Sequence, residues 1–442
     1  MTVTPEGDLA QRALNQLRRN DLGAFVKPAE RQYPHQWNWD AALVALGFSG
    51  VDPERARHEV RALLRGAWKG GMVPHIIYHL GASDYRPHPD FWRTAEHHPP
   101  DLPTSGLSQP PILASCLLLM HDLAPPAERP AWRDFLDETF DTVLAWHRWW
   151  RRARDPDGRG LVAIVHPWES GTDDAPRFEP ALRRVEPEPV PDFVRADRTH
   201  VPADERPSDD DYARFSYLID VYRKLAWDEA TVYRNAPFRV VDPFLNAVLH
   251  RADTDLAKIA LLLGRPDDEL RDWSDATRSA YPELWNEASG TFEAWDDRAG
   301  ERLDASGIAG FAALWGRLAD AGQTARMRAA LDDPAGYASS GPEGVRLATT
   351  RFDDPRFQPR RYWRGPVWIV TNWMVADGFD AAGMPDVAKT LRRDALRLTD
   401  RFGFAEHYDP RDGTPCGARG FSWSAALTLT MLRDARAAVV ET

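Results

Sequence analysis

The stretch Asp386-Val387-Ala388-Lys389-Thr390-Leu391-Arg392-Arg393-Asp394-Ala395-Leu396-Arg397-Leu398-Thr399-Asp400-Arg401, continued by Phe402-Gly403-Phe404-Ala405-Glu406-His407, reads as a polar-faced helix stopped by a glycine. A short apolar extension then ends on a polar residue. The same order of features recurs along the chain. Asp52-Pro53 opens a helix with proline just inside its start; it runs to about Trp68, where Gly70-Gly71 ends it before Met72-Val73-Pro74-His75. Trp273 to Ala288 leads through Gly290 to Thr291-Phe292-Glu293, a looser copy. Ala131 to Arg152 leads through the turn Asp155-Pro156-Asp157-Gly158 to the apolar piece from Leu161 to Val165. A supersecondary unit repeated in this way signals an architecture assembled by stacking that unit.

Between the copies lie helices without a broad polar face: Ala41 to Phe48, Pro111 to His121, Asp242 to Leu263, Ile308 to Leu318, Gly365 to Ala376 and Ser422 to Leu432. Nearly all-apolar helices alternating with amphipathic ones imply two concentric layers, the inner one buried all round. With the amphipathic helix from Thr4 to Arg19, the count comes to about twelve, and strands are confined to short hairpin pieces at the loops. The expected fold is therefore all-α, an (α/α)6 barrel or six-hairpin toroid, in one domain spanning residues 1–442. Its central cavity would be lined by the starts of the inner helices and their loops. One long irregular segment, 177–210, is rich in Pro, Glu, Asp and Arg. It is too long for an idle connection and is either a disordered insertion or a lid, and its place directly after an acidic motif favours a lid.

Composition narrows the function. A net charge of -12 and a pI near 5.6 argue against nucleic acid or an anionic membrane as partner, since both need a basic face. Cys116 and Cys416 are too few for a disulfide framework. The polar N-terminus has no apolar core of a leader and no stretch approaches a membrane span, so a cytoplasmic protein is expected. There is no P-loop, no dinucleotide fingerprint, no His-Glu-x-x-His and no Gly-x-Ser-x-Gly elbow, so the chemistries those motifs serve are not expected. His75 and His79 have metal-ligand spacing, but Pro74 and the preceding glycines speak against the helix that would align them, and no metal is expected.

Three stretches carry the chemistry. His166-Pro167-Trp168-Glu169-Ser170-Gly171-Thr172-Asp173-Asp174-Ala175-Pro176 places three carboxylates on a loop that Pro167, Gly171 and Pro176 keep from being a regular helix. Tyr33-Pro34-His35-Gln36-Trp37-Asn38-Trp39-Asp40 and Arg361-Tyr362-Trp363-Arg364-Gly365-Pro366-Val367-Trp368 concentrate aromatics immediately before apolar helices. A pyranose offers an apolar C–H face and a rim of hydroxyls, so aromatic planes beside carboxylates and amides suit a small carbohydrate. The Asp173 loop and Glu406 both follow outer helices and so face one cavity. Two carboxylates flanking a bond are what glycoside hydrolysis needs, one to protonate the leaving oxygen and one to activate water.

Taken together and in this order, Tyr33 to Asp40, Gly71 to His75, Gln109-Pro110-Pro111, His166 to Pro176, Tyr362 to Trp368, and Glu406 with Phe421-Ser422-Trp423-Ser424 resemble glycoside hydrolase family 63. The likeness is to its compact bacterial branch of mannosylglycerate and glucosylglycerate hydrolases, and it covers most of the chain. It implies an α/α six-barrel, inversion at the anomeric carbon and no cofactor. By motif, the family's acid falls on Asp173 and its base on Glu406. The sugar-side positions fall on Tyr33, Trp37, Trp39, Asp40, His75, Gln109, Gly171, Tyr362, Trp363 and Trp368. The glycerate contacts fall on Arg206 and Tyr212, within Arg206-Pro207-Ser208-Asp209-Asp210-Asp211-Tyr212, with Tyr85 joining from the loop that begins at Asp84.

One departure stands out: the family commonly has Asn after the acid, where this chain has Asp174, and a second carboxylate there either raises the acid's pKa or blurs which of the two is the acid. Glu169 is assigned a supporting role. The expected activity is inverting hydrolysis of a small α-glycoside, glucosylglycerate or mannosylglycerate first. A trehalase-like α-glucosidase, a sugar epimerase and a non-catalytic sugar-binding protein share the fold and the aromatic walls. The choice between glucose and mannose turns on one hydroxyl's orientation and stays open, as does oligomeric state.

Overall fold

The computed structural model describes residues 5–79, 85–303, 307–341 and 344–440; Thr4, where the first helix was expected to begin, and Asp84 lie outside them. Among the described residues six helices follow one another in contact: Asn38–Ser49, Leu113–Asp122, Pro243–Leu263, Ile308–Trp315, Ile369–Ala381 and Ser422–Val440. Each packs against the next, and Ser422–Val440 packs against Asn38–Ser49. Their composition explains the position. All twelve residues of Asn38–Ser49 and all eight of Ile308–Trp315 are buried, so these helices have no side for water.

The amphipathic helices lie against them. Pro53–Leu64 packs on Asn38–Ser49, Pro5–Asn20 on Ser422–Val440, Arg129–Arg154 on Leu113–Asp122 and Pro243–Leu263, Asp268–Ala280 on Pro243–Leu263, and Pro385–Phe402 on Ile369–Ala381. In Pro385–Phe402 the buried residues Val387, Leu391, Ala395 and Leu398 recur at helical spacing and form one stripe. Ala321–Asp332 opens on a capping box between Asp320 and Gln323 and sits against the strand Thr291–Phe292.

Several boundaries differ from the sequence reading. The helix expected over 273–288 is Asp268–Ala280, because Pro282 diverts the chain into a 3-10 turn, Tyr281–Leu284. The helix expected from Gly365 starts at Ile369: Pro366 cannot donate, and Val367 instead exchanges backbone hydrogen bonds with Tyr408. The helix after Pro53 ends at Leu64 rather than Trp68.

The segment 177–210 is not wholly irregular. It holds the short helix Glu179–Arg183 and gives way to Asp209–Lys224, which starts where Ser208 and Asp211 form a reciprocal capping box. Its irregular middle is tied down by Arg195 to Asp197, by Arg195 and Arg198 to Asp209, by Arg223 to Asp192 and by the Gln32 side chain to the Ala196 carbonyl.

Strands are two to five residues long and pair antiparallel. Gln36–Trp37 pairs with Ile76–Ile77, Trp285–Asn286 with Thr291–Phe292, and Ala405–Tyr408 with Pro415–Arg419. Ala163–Ile164, Val240–Val241, Ala294–Asp296 and Glu301–Leu303 form a four-stranded sheet in that order. The extensions expected at 161–165, at Thr291-Phe292 and at Ala405 contain such strands, whereas Met72-Val73-Pro74 is irregular; His75 lies just before Ile76–Ile77, His166 just after Ala163–Ile164, and Glu406 within Ala405–Tyr408. No helix among the described residues is long and apolar enough to cross a membrane.

Candidate active site

Two adjoining cavities share Tyr33, Trp37, Gln109, Asp173 and Tyr362. The inner one is completed by Trp39, Asp40, Gly171, Trp363, Glu406, Phe421 and Trp423, and the outer one by His75, Tyr85, Trp168, Phe193, Asp197, Arg206 and Tyr212, among others. Asp173 therefore faces both, Glu406 only the inner and Arg206 only the outer. Glu169 and Asp174 lie outside both linings, and of the catalytic, sugar-side and glycerate positions read from the sequence, Trp368 alone lines neither. It is buried behind Trp363, its ring stacked 3.8 Å away and nearly parallel, with His407 stacked on it at 4.9 Å. Trp368 thus fixes the plane of Trp363, and Trp423 stands edge-on to Trp39 at 4.9 Å.

The loop that carries Asp173 is fastened by arginines. His166 Nδ1 accepts from the Trp168 N–H and starts a 3-10 turn, Pro167–Ser170. Glu169, fully buried, takes Arg154 through both carboxylate oxygens and the Val165 N–H as well, so it supports the loop from inside. Gly171 ends the turn at φ 71°, and a Cβ there would stand 2.9 Å from the Trp39 ring, so both conformation and space call for glycine. Arg177 donates to the Thr172 hydroxyl at 2.5 Å and to Asp242 at 2.7 Å, which joins the loop to the start of the helix Pro243–Leu263.

The two adjacent aspartates are separated by their partners. Asp174 points away from the cavities into Arg361 and Arg364, at 2.8 and 3.1 Å. Asp173 has no such cation and faces the cavities. Burial pushes its carboxyl up to about 7; its own backbone N–H and Arg206 oppose the shift, while Asp174 and Glu406 add to it. Asp40, in the first turn of Asn38–Ser49, is raised well above the usual carboxylate range by burial and then by Glu406. His75, with Nδ1 2.6 Å from the Ser105 hydroxyl, is lowered to about 3 by burial and then by His166, and is neutral near pH 7.

Glu406 sits in the strand Ala405–Tyr408, 1% exposed. Its Oε1 accepts from the Tyr33 hydroxyl at 2.8 Å and from Arg206 Nη1 at 3.3 Å; its Oε2 accepts from Arg206 Nη2 at 2.6 Å and from the Ala418 N–H at 2.8 Å. Gly417 makes the last contact possible, since at φ 68° its missing Cβ would collide with that carboxylate. Arg206 lies over the rings of Tyr362 and Tyr33, at 4.7 and 5.7 Å. The residue before it, Glu205, binds Arg360 and accepts the Gly417 N–H, so both side chains brace the hairpin that carries Glu406. Glu205, His407 and Cys416 lie close enough to share a cation, but Arg360 already matches the Glu205 charge.

Three buried polar atoms of residues lining the inner cavity have no protein partner: Gln109 Oε1, Trp363 Nε1 and Trp423 Nε1. One acceptor and two donors among aromatic walls match the hydroxyl rim and apolar face of a sugar ring. Sequence reasoning did not assign Trp423, Phe421 or Trp168, although all three stand in motifs it quoted. It did not assign Arg361 and Arg364 to Asp174, a pairing across 187 and 190 residues. Phe193 and Asp197 come from the irregular segment, where no pattern marks them.

Comparison with known proteins agrees with this geometry. The family described as mannosylglycerate hydrolase MGH1-like glycoside hydrolase domain matches residues 33–424. A mannosylglycerate hydrolase of Thermus thermophilus is 42% identical over 96% of this chain and 100% of its own. A glucosylglycerate hydrolase of Mycolicibacterium hassiacum is 34% identical over 96% of this chain and 97% of its own. The crystal structure of the family 63 mannosylglycerate hydrolase from Thermus thermophilus in complex with Tris and D-glycerate superposes with a TM-score of 0.90, at 40% identity over 95% of this chain and 99% of that one. The chain belongs to the MGH1-like glycoside hydrolases of family 63 and is an O-glycosyl hydrolase.

Proposed function

We propose that the protein hydrolyses an α-glycoside of glycerate, mannosylglycerate or glucosylglycerate, with inversion at the anomeric carbon. The observation that carries this reading is the placement of the two carboxyls. Asp173, raised to about 7, stands where the two cavities meet, and Glu406 lines the inner one alone. The sugar fills the inner cavity between Trp39, Trp363 and Trp423, with Asp40, Gln109, Tyr33, Trp37 and Tyr362 at its rim. The glycosidic oxygen then lies beside Asp173, and the aglycone extends into the outer cavity. Asp173 gives its proton to that oxygen, Glu406 takes a proton from water on the opposite face of the ring, and the C1–O bond breaks as the water oxygen joins C1. Such a pair stands roughly 6.5 to 9.5 Å apart. The products are the free sugar and glycerate, and acid, base and water balance the reaction without a cofactor.

The relatives' names and the D-glycerate in the Thermus structure support the aglycone. So does Arg206, a buried arginine that lines the outer cavity and pairs with Glu406, since a guanidinium meets a carboxylate with two parallel hydrogen bonds. Arg206, Tyr212 and Tyr85 are the glycerate contacts in this reading, with His75 at the outer wall. We read the whole chain as one (α/α)6-barrel domain, which the cyclic order of contacts among the six buried helices supports. The segment 177–210 acts as a lid, supported by Phe193, Val194, Ala196, Asp197, Arg206 and Pro207, which wall the outer cavity.

The experiment is to follow free sugar released from mannosylglycerate, glucosylglycerate and neutral α-glucosides and α-mannosides. Release from a glycerate glycoside ahead of the neutral ones is expected. Interconversion of a free sugar, or binding without turnover, would replace the hydrolase reading with an epimerase or a sugar-binding protein.

A further inference from the structure

Glu406 as it stands has no acceptor position left for water. A carboxylate offers about four lone-pair sites, and four donors address it: the Tyr33 hydroxyl, Arg206 Nη1, Arg206 Nη2 and the Ala418 N–H. A general base needs one such site pointed at the proton it removes. Two of the four donors are fixed in place, one by the backbone of the hairpin and one by a tyrosine packed against Trp37 and Phe421. The other two belong to Arg206, which reaches Glu406 from the outer cavity. Arg206 Nε is buried and has no protein partner, so one face of the same guanidinium remains to be engaged.

We propose that Arg206 is a cap on Glu406 that an anionic aglycone removes. A carboxylate entering the outer cavity competes with Glu406 for this guanidinium, and by drawing it outward frees lone pairs on Glu406 for the attacking water. The aglycone charge then governs turnover as well as binding. This differs from a simple anchoring role, in which the arginine adds affinity and the base is ready throughout. The inference rests on the hydrolase reading above. It assigns Arg206 as the residue that makes the enzyme selective for acidic aglycones at the chemical step.

The test separates the aglycone charge from the leaving group. Turnover of mannosylglycerate or glucosylglycerate by the wild type first establishes the activity and the sugar. The α-fluoride of that sugar is then offered with and without free D-glycerate, and with glycerol as a neutral control. Free glycerate is expected to raise kcat for the fluoride in a saturable way by about 10- to 100-fold, the range of one charge-assisted contact, and glycerol is expected to do nothing. Arg206→Met, checked for folding by its melting curve, should hydrolyse the fluoride faster than the uncapped wild type does, lose the response to glycerate, and lose kcat/KM on the glycerate glycoside. An enzyme that hydrolyses the glycerate glycoside but whose fluoride hydrolysis is inhibited or unaffected by glycerate overturns the cap and leaves the hydrolase reading intact. A wild type that cleaves neither substrate overturns that reading instead.

Discussion

The inner and outer cavities are built from different kinds of chain. The inner wall comes from the first turn of a fully buried helix, from Trp363 backed by the stacked Trp368 and from a hairpin strand, all held by packing. The outer wall comes largely from the irregular part of the segment 177–210 and from residues 85–87, held in part by surface ion pairs such as Arg198 to Asp209. Exposed pairs of this kind contribute little each. Bond breaking needs groups held to a fraction of an ångström, whereas admitting and enclosing an aglycone needs parts that can yield. Asp173 and Arg206 stand where the two regimes meet.

The largest effects should follow from removing the two carboxyls proposed to react. Asp173→Asn and Glu406→Gln should each lower kcat by roughly 100- to 10,000-fold while the fold survives. Asp174→Asn should not do so, since its carboxyl faces Arg361 and Arg364; it should instead destabilise the protein by about 1 to 3 kcal/mol, because Arg361 and Arg364 are left with Asp211 and Glu179 as their remaining counter-charges. Steady-state rates and denaturant titrations on the three variants decide it, and a catalytic collapse in Asp174→Asn would exchange the roles of the neighbours.

Next in size is the outer arginine. Arg206→Ala should raise KM for the glycerate glycoside by about 10- to 1,000-fold. A neutral aryl α-glycoside has no carboxylate to lose and should be cleaved no more slowly. Equal losses on both would mean that Arg206 serves the fold of the site as a whole.

The pH profile tests the junction. With the Asp173 carboxyl near 7, kcat/KM should fall about tenfold per unit at higher pH as the acid loses its proton. The same shift bears on stability. A folded-state pKa above that of the unfolded chain near 4 contributes stability that is complete below that value and is lost as pH rises towards 7. Asp173→Asn should therefore gain on the wild type in melting temperature between pH 4 and pH 7. A flat difference across that window would place the raised pKa elsewhere.

The smallest effects should lie outermost. Phe193→Ala, which removes a ring packed 5.4 Å from Phe91, should change KM by about tenfold or less and leave stability almost untouched. Trp363→Ala, its counterpart in the inner wall, should lose about 3 to 5 kcal/mol of stability. If the two variants unfold alike, the contrast between the regions fails.

What could be read in the sequence follows the same division. Glu406 was legible because it ends a unit whose helix, glycine and extension each leave a periodic or breaking signal. Trp363 stood out in its aromatic run, and Trp39 and Asp40 before an apolar helix. The start of Asp209–Lys224 was encoded in Ser208 and Asp211, but a run of acids hid the capping box. Phe193 and Asp197 had no signal, because an irregular segment carries no period and its course is set by contacts with distant residues such as Phe91 and Arg223. Asp173 was set apart from Asp174 by the motif alone, for a related reason: what distinguishes them physically is Arg361 and Arg364, brought in by the fold.

The most direct test of the paired roles of Asp173 and Glu406 is the anomeric form of the first sugar released, followed by proton NMR before mutarotation blurs it. Starting from an α-glycoside of glycerate, an acid at the junction of the cavities and a base in the inner one place the attacking water on the face opposite the leaving group. The β-anomer should then appear first and the α-anomer only later. Initial release of the α-anomer would mean retention and contradict the account.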